Sequence, residues 1–180
     1  LALSRGQALR VLLVDGPARR DDAGLYLRRA LAVGQDPPLE VDVVASSRLR
    51  ASDLAGHALV VLHDAPLRGE AARLVARHVE AGGGLLVATG EASAPDAWDP
   101  ALAALLPARP GAVVETAGEG ARLASIERGH PAFAPFATPR SGDLGAARVL
   151  RRRALAPAPD ARVLARFDDG APALLERPAG

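Results

Sequence analysis

The residues best suited to chemistry stand where short apolar runs end. Asp15 follows Val11-Leu12-Leu13-Val14, and His63 and Asp64 follow Leu59-Val60-Val61-Leu62. Thr89, Gly90 and Glu91 follow Leu85-Leu86-Val87-Ala88. Two aspartates at neighbouring strand ends, with Asp21 and Asp22 near Asp15, could form an acidic magnesium pocket. The plainer expectation is that Asp15 and Asp64 accept hydrogen bonds from turn amides. A nucleophilic site is a weaker candidate. Thr89 would need His63 as base and Asp64 behind it, and its turn lacks the small-x-nucleophile-x-small spacing of an elbow. His57, His63, His78 and His130 show no helical i, i+4 pair for a metal. His78 reads as a boundary packing residue of its helix. His130 opens the loop His130-Pro131-Ala132-Phe133-Ala134-Pro135-Phe136, which reads as a structural clip on a sheet edge or, more sharply, as a wall of a pocket.

Composition removes several classes of function. The 180 residues contain no cysteine, which excludes disulfides, zinc–thiolate sites, iron–sulfur clusters and a cysteine nucleophile. All the Lys+Arg positions are arginine, so neither a Schiff base nor a P-loop lysine is available. The missing lysine also disfavours phospho-receiver chemistry at the aspartates. Basic and acidic residues number 22 and 21, and aromatics make up 3%. No basic footprint or stacking platform for nucleic acid follows. Arg151-Arg152-Arg153 alternates across a strand, so it reads as a solvated edge rather than a phosphate patch. No cofactor is implied. No apolar run reaches the ~18 residues of a membrane span, so no direct membrane insertion is expected.

Elements that would position these residues follow from periodicity. Strands are expected at 10–15, 39–44, 58–64 and 85–88, and helices at 22–32 and 67–81, with a capped turn at Ser52-Asp53-Leu54. Gly34 and Asp36-Pro37-Pro38 end the first helix, and Gly82-Gly83-Gly84 ends the second. This alternation predicts an α/β fold: three layers, doubly wound, with a mostly parallel, flavodoxin-like sheet. After about residue 107 the pattern changes to short strand-like runs at 112–115, 122–126, 146–154, 162–167 and 173–176. These predict an antiparallel β excursion. The whole is expected to be one domain, with a core at 10–107 and a β-rich part at 108–180.

Three segments resemble class I glutamine amidotransferase-like domains: Val11 to Gly16, Asp53 to Leu62, and Val79 to Val87. The order of strand, helix, glycine run and strand is shared with ThuA-like proteins. His130-Pro131, Ser141-Gly142-Asp143 and Ala165 to Leu174 are similar to the soluble region of Bat-like (aerotolerance-type) bacterial membrane proteins. That resemblance implies a degenerate amidotransferase-like domain, cut from a longer membrane-anchored bacterial chain and compatible with an extracytoplasmic place. Active amidotransferases need a cysteine at the turn that reads Ala88-Thr89-Gly90-Glu91 here, so glutaminase activity is excluded. The expected function is a non-catalytic binding or interaction module, whose partners are proteins or other domains of the same chain. The alternative is a ThuA-like sugar-related binding or hydrolytic site, with Asp15, His63, Asp64, Thr89, Gly90 and Glu91 lining the strand-end cleft.

Overall fold

The computed structural model describes residues 8–17, 23–32, 38–136 and 143–178. Asp21, Asp22, Gly34, Asp36, Pro37, Ser141 and Gly142 lie outside them. Two compact units divide the chain between Leu105 and Leu106.

In the first unit, four strands alternate with helices: Leu9–Asp15 (β1), Ala23–Ala32 (α1), Leu39–Ala45 (β2), Ala51–Leu54 (α2), Leu59–His63 (β3), Gly69–Glu80 (α3), Gly84–Ala88 (β4) and Pro100–Ala103 (α4). All strand pairs are parallel, in the order β2-β1-β3-β4. β1 and β3 are central, which is why they read as unbroken runs of Val and Leu rather than as an alternation. From β1 the chain steps outward to β2, then crosses back past β1 to β3. Right-handed crossovers of opposite direction place their connections on opposite faces. On one face Val11, Leu13 and Val61 pack with Leu27 and Leu31 of α1. Strand alternation sends the buried Leu12, Val14, Val60 and Leu62 to the other. α3 buries Ala72, Val75, Ala76 and Val79, at i, i+3, i+4 and i+7 on one helix face, while Ala71 and Leu74 are only half-buried.

The helix ends are set by specific groups. Arg68 precedes α3 and offers no side-chain cap. Asp99 supplies one from elsewhere: its Oδ2 accepts the Gly69 N–H at 3.1 Å, while its Oδ1 accepts the Ala101 N–H at 3.1 Å and caps α4. At the α2 turn the capping group is Asp53, which reaches back to the Arg50 N–H at 2.8 Å. α3 stops where Gly82 takes φ +91°.

The second unit is antiparallel. Ala108–Glu115 (β5) pairs with Arg151–Pro157 (β7), and Leu123–Ile126 (β6), Arg162–Phe167 (β8) and Pro172–Glu176 (β9) form a three-stranded sheet. Phe133, from the 3-10 turn Pro131–Phe136, packs with Leu164 and Ala165 of β8. The clip expected from His130 onward therefore lies over the middle strand rather than an edge. The strand expected at 146–154 begins only at Arg151. Ahead of it Leu144–Ala146 forms a 3-10 turn, because Asp143 caps the Gly145 N–H at 2.8 Å.

The arginine triplet also departs from expectation. Arg151 faces Glu115 at 3.7 Å, and Arg153 donates to the Gly111 carbonyl at 3.0 Å. The Arg152 side chain is only 8% exposed. It lies 4.4 Å over the Phe167 ring and pairs with Asp169. An aromatic face and a carboxylate together offset the cost of burying a guanidinium. The Ala171 amide, and after it Arg152, hold the Asp169 carboxyl below the usual carboxylate range. The fold is therefore α/β, a four-stranded parallel sheet with helices joined in one chain to antiparallel sheets.

Candidate functional site

The strand order reverses between β1 and β3, and in open sheets of this kind ligands bind beyond the carboxyl ends at that switch point. Asp15 ends β1, His63 ends β3, and the two are register partners. Equal register on parallel strands points both side chains to one face. His63 Nδ1 lies 2.7 Å from Asp15 Oδ1, with the side chains 22% and 28% exposed. A carboxylate accepts and does not donate, so Nδ1 carries the hydrogen of this bond.

Asp64 is turned to a different task. Its φ of 45° is left-handed, a conformation that aspartate tolerates better than most residues. The side chain reaches into the loop after β4. Oδ2 accepts the Ala92 N–H at 2.9 Å, and Oδ1 accepts the Ser93 N–H at 3.0 Å and the Ser93 hydroxyl at 2.8 Å. The Gly90 N–H donates to Ser93 Oγ at 3.2 Å. Close approach explains two glycines. A Cβ on Gly90 would fall 2.5 Å from Asp64 Cγ, and one on Gly16 would fall 1.9 Å from the Asp64 carbonyl oxygen.

Of the six expected residues, the structure joins Asp15 with His63, and Asp64 with Gly90. Thr89 is half-buried and makes no hydrogen bond to His63 or Asp64; Glu91 is exposed. The Thr89/His63/Asp64 arrangement is thus corrected: the carboxylate behind His63 is Asp15, since Asp64 is occupied by the turn. Nor do the two aspartates share a magnesium pocket, because each serves a separate partner. Among the described residues no three metal-ligating side chains gather. The amides of Gly90, Ala92 and Ser93 are spent within the turn, so they offer no oxyanion hole. Ser93, fully buried, was missed in the sequence. Its signal is a hydroxyl three residues beyond a glycine in a strand-end turn.

A second polar cluster lies toward the amino ends of β1 and β3. Asp42 receives Arg10 Nη2 at 2.7 Å and His57 Nε2 at 2.9 Å. The Arg10 hydrogen bond, then that of His57, hold the Asp42 carboxyl below its usual range. The His57 side chain is 4% exposed and its Nδ1 is buried without a partner. His78 Nε2 is likewise buried and unpartnered. A Cβ on Gly83 would lie 2.1 Å from that atom, so the ring occupies the space glycine leaves. Burial, then the charge of His57, push the His78 imidazole below the ordinary histidine value. In the second unit His130 is satisfied on both nitrogens, by Glu176 at 2.9 Å and the Ala132 N–H at 3.2 Å.

No helix among the described residues is long and apolar enough to cross a membrane. No protein-family model matches the chain, and no curated protein matches it. Solved structures do. The cytoplasmic protein STM3548 from Salmonella typhimurium is similar over 91% of this chain and 81% of its own, at TM-score 0.67 and 17% identity. The exo-beta-1,4-mannosidase Op5Man5 from Opitutaceae bacterium strain TAV5 is similar over 97% of this chain but only 30% of its own, at TM-score 0.59 and 15% identity. A putative ThuA-like protein from Bacteroides uniformis is similar over 93% of this chain and 71% of its own, at TM-score 0.60 and 12% identity. At these identities the likeness is one of fold, and the fold is one that this chain shares with a ThuA-like protein.

Proposed function

We propose that this chain is a binding module without covalent catalysis, seating a small hydroxylated, sugar-related molecule at the carboxyl ends of β1 and β3. The observation that carries this reading is the Asp15–His63 pair, 2.7 Å apart at the switch point. Two further points support it. The turn after β4 has no thiol, and its Gly90, Ala92 and Ser93 amides are already engaged, which argues against acyl transfer there. A mannosidase shares the fold over part of its length, which suits a fold used beside carbohydrate chemistry. A thermal-shift panel of neutral sugars, nucleotides and divalent cations tests the reading. A sugar shift that His63→Ala abolishes supports it. Turnover of an amide or ester, or no shift with any sugar, overturns it.

One observation favours a second reading, that of an interaction module. Val43, Leu13, Val61 and Leu86 are register partners in a row across one face of the sheet. The inner two are buried, while Val43 and Leu86 are exposed. Another domain of a longer, membrane-anchored chain of Bat-like kind, or a protein partner, would cover them. Pull-down from membranes with the full-length protein tests this. A specific partner lost on Leu86→Asp supports it, and capture unaffected by that change overturns it.

A further inference from the structure

We infer that Asp15 holds His63 with its hydrogen on Nδ1, so that Nε2 stands open as the acceptor for a ligand hydroxyl, and that the site therefore selects neutral polyols over anionic sugars. This rests on the sugar-binding reading above and specifies its ligand. The first premise is the 2.7 Å contact between Nδ1 and an atom that can only accept. In a neutral ring with hydrogen on Nδ1, Nε2 carries a lone pair. An unrestrained imidazole in water favours the opposite tautomer, so Asp15 inverts the default and is a positioning residue.

The second premise is the state of the other nitrogen. His57 and His78 each bury an unpartnered ring nitrogen, but His63 Nε2 is not among the buried unpartnered atoms and has no partner among the described residues. It faces solvent. His130 has both nitrogens engaged. Of the four histidines, His63 alone joins a carboxylate on one side to open solvent on the other. Charge gives the selectivity. A ligand bonded to Nε2 meets the far side of a ring backed by Asp15, and an anionic ligand would be repelled by that carboxylate.

Long-range 15N–1H spectra of the whole chain at mildly alkaline pH read the tautomer without any ligand. Hydrogen on Nδ1 of His63 is expected, moving to Nε2 in Asp15→Ala. Asp15→Asn should keep it on Nδ1, because the amide oxygen still accepts. Titration with methyl mannoside and glucuronate reads selectivity. Wild type should bind glucuronate about tenfold more weakly, and Asp15→Asn should lose that difference. Hydrogen on Nε2 in the wild type overturns the inference whatever the sugars do. Glucuronate bound as tightly as the glycoside overturns the ligand class. Hydrogen on Nδ1 with neither sugar bound instead sinks the binding reading, and with it the ligand half of this inference.

Discussion

Asp15 and Asp64 are the same side chain at the same edge of one sheet, and they do opposite things. Asp15 spends its carboxylate on a half-exposed imidazole, whereas Asp64 spends its own on three groups of one turn. Their placement at strand ends could be read in the sequence, because an apolar run closed by Asp-Gly or His-Asp announces a buried strand and its exit. Their partners could not. His63 lies 48 residues from Asp15, and Ser93 lies 29 from Asp64, so only parallel register brings each pair together. His78 yields a residue-scale prediction. Its folded-state value lies below the ordinary value of about 6.5. The unfolded chain therefore binds more protons as pH falls below 6.5, and stability is lost in that direction. Urea denaturation of wild type and His78→Gln between pH 8 and pH 5 checks it. The wild type should lose stability on acidification more steeply than the variant.

At the scale of elements, the periodicity of β1, β3 and α3 carried their assignment, since each is buried in the pattern its type requires. β8 matches residue for residue. β7 does not, because the Asp143 cap diverts the chain into a turn that apolar spacing cannot reveal. Arg152 was unreadable for a similar reason: its burial depends on Phe167 and Asp169, which belong to another strand and its turn. Caps supplied from a distance are equally hidden, and Asp99 is the clearest. It satisfies amides at the starts of both α3 and α4. Asp99→Ala is expected to destabilise the first unit by about 1–2 kcal/mol, the cost of losing an N-cap. Asp99→Asn should recover part of that loss. Chemical denaturation of the three proteins measures the order.

For the whole molecule, two compact units mean that stability is read unit by unit. The single tryptophan, Trp98, is buried in the first unit, so its fluorescence follows that unit's unfolding. Leu13, fully buried at the middle of the parallel sheet, is a suitable probe. Leu13→Ala should cost about 3–4 kcal/mol and move the Trp98 transition to lower urea. The same unit carries a constraint on how this scaffold could acquire new chemistry. Placing a cysteine at position 89 would supply a thiol but no oxyanion hole from the turn's amides, since Asp64 still draws in those of Ala92 and Ser93. Removing Asp64 would release those amides but also undo the turn that aims the thiol. Each change alone is unrewarded, so an enzyme on this turn lies across a step that needs several substitutions at once.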